Sequence, residues 1–336
     1  MSTFKNRAGL GLARVKKALV YRLSSPELKR ANRKLARREQ ELAALRAMLD
    51  KRDAGGQVEG IRPENVVWVL GSGRTGSSWL TFMMGDLPDH TRWNEPRIGS
   101  MFGYLYYEVA WTRQATKHFI LANDYEETWL SSLRSLVLSG ALTRFPERAE
   151  GGYVVIKEPH GSIGAPLLMK ALPESRMIFL VRDPRDVVAS AMAVTLVPKG
   201  GRNRASRVKK VETQAEKFVR QRAKNYLRDI NNTEQAYEAH EGRKVLVRYE
   251  DLRADTLGTM KRIYSALEIP VDEGKLARAV EKHSWESIPE EEKGEGKTFR
   301  KATPGGWRED LTPEQVETVE KITAPLLKEF YPDNTA

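Results

Sequence analysis

The sequence predicts an α/β protein: a parallel sheet flanked by helices, behind an N-terminal helical and coiled-coil extension. Short apolar runs at residues 66–70, 153–156, 177–181 and 245–247 are each followed by turn residues and a helical pattern. Runs this short and rich in β-branched residues suit strands buried on both faces, and their alternation with helices implies parallel order. Charge and periodicity change near residue 55, which separates the extension at 1–55 from a catalytic candidate at 61–336.

In the extension, Leu12, Val15, Leu19 and Leu23 recur at helical spacing opposite Arg14, Lys16, Lys17 and Arg22, the pattern of a basic amphipathic helix. Ser24, Ser25 and Pro26 look like a helix start, after which Leu28, Leu35, Leu42 and Leu49 fall at seven-residue intervals with Ala31 and Leu45 at companion positions. This short coiled-coil pattern is open to homo-oligomerisation or to a solvated single helix, because Arg38 occupies a companion site. Gly55 and Gly56 mark the linker.

The 336 residues include 56 Lys/Arg and 45 Asp/Glu, and 15 of the basic and 4 of the acidic residues lie within 1–52, so the whole surplus of +11 sits there. A broadly basic nucleic-acid-binding domain is therefore not expected. A basic amphipathic helix instead suits an anionic membrane surface. With no cysteine, disulfides, thiolate catalysis and cysteine-ligated zinc are removed. Five scattered histidines without an HExxH pairing leave no expected metal site. No stretch approaches the roughly 18 apolar residues that span a bilayer, and the first residues lack the apolar core of a secretion signal. The expected location is the cytoplasm, with the N-terminal helix as a peripheral anchor at the inner membrane face.

The first apolar run leads into Gly71-Ser72-Gly73-Arg74-Thr75-Gly76-Ser77-Ser78-Trp79-Leu80, a glycine-rich turn that opens a helix. Glycines let the backbone approach an anion, and exposed amides, the positive helix end and the Ser77 and Ser78 hydroxyls bind it, which makes a P-loop-type phosphate cradle. A turn without ligand is the alternative. In a nucleotide kinase the pattern is GxxxxGK[ST]; Gly71 and Gly76 have that spacing, but Ser77 stands in place of the lysine and the cation is Arg74. Further on, residues 204–240 read as a long polar helix, and 313–329 as a C-terminal helix capped by Thr312.

Arg74-Thr75-Gly76-Ser77-Ser78-Trp79 resembles the 5′-phosphosulfate loop of the sulfotransferase superfamily, whose members use 3′-phosphoadenosine 5′-phosphosulfate (PAPS) as sulfuryl donor. Arginine in the first place looks more like the carbohydrate and tyrosylprotein branches than the cytosolic steroid and phenol branch. The segment from Met177 through Arg182-Asp183-Pro184-Arg185-Asp186 to Ser190 is similar to the family's 3′-phosphate element, and the resemblance implies that Arg182 and Ser190 hold that phosphate. An internal pair of Arg182 with Asp183 or Asp186 is the structural alternative. Tyr249-Glu250-Asp251-Leu252 resembles the element beside the adenine, with Trp79 as the implied stacking partner. The string from Arg300 and Lys301 to Trp307 resembles the element that closes over the nucleotide, except that Ala302 stands where glycine is usual.

Sulfuryl transfer needs donors aimed at the oxygen that leaves with the 5′-phosphate, and Arg74 and Lys157 are the candidates. Lys157 ends the second apolar run, in a string similar to one of the tyrosylprotein and bacterial members. A base must accept the acceptor's proton. The resemblance implies Glu95, 21 residues after Arg74, in a loop-like stretch where Pro96 disfavours helix. His160 and Glu158 are the alternatives. The expected activity is PAPS-dependent sulfation of a hydroxyl on a glycan, glycolipid or other alcohol, without metal. A P-loop phosphotransferase and a noncatalytic nucleotide-binding scaffold are the competing readings.

Overall fold

The computed structural model describes residues 60–110, 119–195, 205–294 and 303–332. The amphipathic helix and coiled coil expected within 1–55 lie outside the described residues, as do Arg300, Lys301 and Ala302.

Five parallel strands form one sheet: β1 (Val66–Gly71), β2 (His90–Asn94), β3 (Tyr153–Lys157), β4 (Arg176–Val181) and β5 (Lys244–Arg248). The helices are α1 (Ser77–Gly85), α2 (Ile98–Ala110), α3 (Glu126–Arg144), α4 (Ala165–Ala171), α5 (Pro184–Thr195) and α6 (Ala205–Ala239) before β5. After it come α7 (Tyr249–Ala254), α8 (Thr256–Ala266), α9 (Glu273–Lys282), α10 (Trp307–Asp310) and α11 (Pro313–Phe330). Both faces of the sheet are covered. Trp68, Leu70, Ile156 and Phe179 pack with Leu133 and Val137 of α3, Leu168 of α4 and Tyr226 of α6. Val67, Val69, Val155, Ile178 and Leu180 pack on the other face with Leu80, Met83 and Met84 of α1 and with Met260 and Ile263 of α8. Two buried faces are why the runs of β1, β3 and β4 lack polar alternation.

β2 was not among the expected strands; the region before Pro96 was expected to be loop. Its residues His90-Thr91-Arg92-Trp93-Asn94 are no apolar run, and β2 is a half-buried edge strand paired only with β3. Sequence cues to the helix ends hold: Thr312 and Gln315 form a reciprocal capping box on α11. Asp183 Oδ1 accepts the Arg185 amide at 2.8 Å ahead of Pro184, the first residue of α5.

The strand order is β2-β3-β1-β4-β5. After β3 the chain therefore crosses β1 to build the other half of the sheet, and a crevice opens at the carboxyl ends of β1, β3 and β4. Those three ends carry the glycine-rich turn, Lys157 and Arg182.

Candidate active site

Between β1 and α1 the chain turns sharply. Arg74 and Gly76 adopt left-handed backbone (φ 75° and 89°). A β-carbon at Gly76 would strike the Tyr249 ring, so only glycine fits there. The Thr75 side chain is buried and its hydroxyl donates 2.8 Å to the Ser72 carbonyl, which bends the turn over the start of α1. Ser77 and Ser78 sit in the first turn of α1, where free amides and the helix dipole favour an anion. Arg74 Nε donates 3.0 Å to Ser190 Oγ of α5, which draws the loop cation to the expected 3′-phosphate serine.

Lys157 ends β3 almost wholly buried. Its ammonium donates 2.8 Å to Ser78 Oγ and lies 2.7 Å from Glu95 Oε1. Glu95 follows β2 in left-handed backbone (φ 49°), and its amide donates 2.8 Å to the Lys157 carbonyl, extending the β2–β3 ladder by one residue. His160 Nε2 lies 3.8 Å from Glu95 Oε2. Burial pushes the Glu95 carboxyl up, but the hydrogen bond and charge of Lys157, then the charges of His160 and Arg97, outweigh it and hold it below its ordinary value. Glu158 differs: it is fully buried beneath the site, its Oε2 accepts the Arg97 amide at 2.9 Å, and burial pushes its carboxyl up to about 7.

Arg182 leaves β4 with Nη1 donating 3.1 Å to the Arg74 carbonyl and its guanidinium 4.2 Å above the Tyr249 ring. Its Nε is buried without a partner. Of the two internal partners open from sequence, Asp183 instead binds Arg185 through both oxygens. Asp186 stands 3.8 Å from Arg182 Nη2 and spends its oxygens on the amides of Gly305 (2.8 Å) and Trp307 (3.0 Å). Trp79 and Tyr249 are edge to face, centroids 6.3 Å apart, and Trp79 Nε1 donates 2.7 Å to the His283 carbonyl.

One cleft of about 1210 Å³ takes in Arg74, Gly76, Ser77, Ser78, Trp79, Glu95, Lys157, His160, Arg182, Ser190 and Tyr249. Thr75 and Glu158 are not among its lining side chains. Sequence reasoning missed Arg222 of α6, whose Nη2 donates 2.6 Å to the Gly73 carbonyl and 3.1 Å to Ser72 Oγ, while Ser72 donates 2.8 Å to Asp229. Nothing local marks it, because α6 reads as a plain polar helix.

This arrangement suits an enzyme that transfers an anionic group held on the loop, since Arg74, Lys157 and Arg182, the hydroxyls of Ser77, Ser78 and Ser190 and the Glu95 carboxylate share a single cleft. Residues 67–273 match the family described as the sulfotransferase family, and the chain belongs to it. No curated protein matches the chain. Among solved structures it is similar to a mouse sulfotransferase, SULT7A1, complexed with PAP (14% identity, 80% of this chain and 85% of that one, TM-score 0.49). It is also similar to sulfotransferase STF9 from Mycobacterium avium (16% identity, 80% and 78%, TM-score 0.46) and to STF1 from Mycobacterium tuberculosis (17% identity, 85% and 81%, TM-score 0.46).

Proposed function

We propose that the protein moves a sulfuryl group from PAPS to a hydroxyl of a glycan, glycolipid or other alcohol. The supporting observation is the single ammonium of Lys157 set between a loop hydroxyl on one side, Ser78, and a carboxylate on the other, Glu95. The donor set fits a phosphosulfate nucleotide: the loop is a cradle of amides and hydroxyls, and the buried Nε of Arg182 has a hydrogen left to give.

PAPS supplies an activated sulfur–oxygen bond. Loop amides, Ser77 and Ser78 hold the 5′-phosphosulfate; Arg182 and Ser190 hold the 3′-phosphate; Trp79 and Tyr249 flank the adenine; Arg300 and Lys301 close over the nucleotide. Glu95, ionised at neutral pH, takes the acceptor's proton as the new sulfur–oxygen bond forms. The old bond breaks toward the phosphate, where Arg74 and Lys157 neutralise the charge that develops. Products are the sulfated acceptor and 3′-phosphoadenosine 5′-phosphate (PAP).

Ser77 in the place of the Walker lysine disfavours the phosphotransferase reading. Thermal shift separates the readings: a sulfotransferase is stabilised by PAP without metal, a phosphotransferase by ATP with Mg²⁺, and a scaffold by neither. Mass spectrometry after incubation with isotopically labelled PAPS then identifies the acceptor.

Residues 1–55 are assigned to an anionic membrane surface and to pairing through the coil, in a cytoplasmic protein held at the inner face. No helix among the described residues is long and apolar enough to cross a membrane. Deleting 1–55 should abolish cosedimentation with anionic vesicles at low salt and leave sulfation of a small acceptor intact.

A further inference from the structure

We infer that Arg92 and Arg97 form an anion subsite for the acceptor, so that the hydroxyl-bearing substrate also carries a carboxylate, phosphate or sulfate. This rests on the sulfotransferase reading of the same cleft.

Four cations of the cleft stand beside a carboxylate. Lys157 has Glu95 at 2.7 Å, Arg182 has Asp186 at 3.8 Å, and Arg222 and Arg228 share Asp229 at 4.0 and 2.8 Å. The donor's phosphates and sulfate fall to the loop, Arg74, Lys157 and Arg182. Arg92 and Arg97 line the same cleft, and neither has a carboxylate at ion-pair distance among the described residues.

Their placement is specific. Along β2, Trp93 packs toward Phe145 and Gly140 of the α3 side, so Arg92 and Asn94 face the α1 side. Arg92 passes Gly85, where a β-carbon would lie 3.3 Å from its own, and carries its guanidinium 3.9 Å above the Phe82 ring. That contact orients the charge without neutralising it. Burial also works against its charged form. Arg97 follows Pro96 in left-handed backbone (φ 63°), like Glu95 (φ 49°), and its amide is tied to Glu158. Two left-handed non-glycine residues astride a proline carry a backbone cost that persists where the aim of a side chain matters. Both side chains thus line the cleft that holds the proposed base. The half-buried Arg92 guanidinium has no carboxylate within ion-pair distance among the described residues, and an anionic group on the substrate supplies the missing counter-ion, with the exposed Arg97 as a second donor.

The test uses the full chain, labelled PAPS, and a total metabolite extract divided by anion exchange at neutral pH into bound and unbound pools. Label should enter products from the anion-exchange-bound pool. Arg92→Gln/Arg97→Gln should raise the amount of that pool needed for half-maximal rate by about tenfold, the scale of a lost charge-assisted contact. Arg97→Lys, which keeps the charge, should stay closer to wild type. PAP affinity, measured by calorimetry, should not change in any variant. Should the double variant be unstable, Arg97→Gln alone, at an exposed side chain, carries the same expectation. Label entering only from the unbound pool, a wild-type response of the Gln variants, or a loss of PAP affinity in them overturns the inference while the sulfotransferase reading stands. No label from either pool, or no PAP binding by wild type, removes that reading and the inference with it.

Discussion

Lys157 and Glu95 meet as an ion pair of 2.7 Å because Asn94 and Lys157 are register partners in β2 and β3, which leaves Glu95 beside the ammonium at the carboxyl edge of the sheet. The pairing places the proposed base and a proposed transition-state cation at the carboxyl ends of adjacent parallel strands, Lys157 as the last residue of β3 and Glu95 directly after β2. Rigid elements hold such geometry better than loops do.

Glu95→Gln keeps the shape of the side chain and removes the proton acceptor. Turnover should fall by about 10²- to 10⁴-fold with PAP affinity retained, as read by transfer assays and calorimetry. Because Lys157 and its neighbours hold the carboxyl below its ordinary value, the acidic limb of activity, where the base becomes protonated, should lie at lower pH than an ordinary glutamate would give. A near-wild-type rate together with an inactive His160→Ala variant would move the base to His160.

Arg182→Ala should weaken PAP binding about ten- to a hundredfold and leave adenosine 5′-phosphate nearly unaffected, the difference being one charge-assisted phosphate contact. Equal losses for both nucleotides in calorimetry would return Arg182 to a structural role under Tyr249.

Asp186→Ala removes the acceptor of the Gly305 and Trp307 amides at once. The expected destabilisation is on the order of 2–3 kcal/mol, read as a lower urea midpoint at unchanged m-value. An unmoved midpoint would mean that the segment before α11 is held by its other contacts, such as Arg185 stacked 4.3 Å from the Trp307 ring.

Glu158 keeps its proton in the fold up to about pH 7, whereas an unfolded carboxyl releases it near 4.5. The native state then binds more protons between those values, so stability falls as pH rises from about 4.5 to about 7, and the penalty is complete above it. Glu158→Gln should raise the melting temperature relative to wild type at pH 8 but not at pH 4.5, by at most on the order of 3 kcal/mol in stability. A difference independent of pH would show that the buried charge is not its source.

The linear sequence determined the strands β1, β3, β4 and β5, the glycine-rich turn and the Thr312 cap. Each is set by contiguous residues: a strand buried on both faces needs an unbroken apolar run, a cradle needs its glycines in register, and Thr312 caps its own helix. Tertiary structure alone decided the rest. β2 was illegible because this half-buried edge strand, His90-Thr91-Arg92-Trp93-Asn94, carries no apolar run, unlike the opposite edge strand β5, which keeps Val245-Leu246-Val247. The grip of Arg222 on the Gly73 carbonyl spans 149 positions and exists only because α6 packs across the carboxyl end of the sheet. Glu158 shows the same dependence. The carboxyl next to Lys157 in sequence points into the protein rather than the cleft, and its burial separates two adjacent acidic candidates, one held ionised by an ammonium and one held protonated by a dry interior.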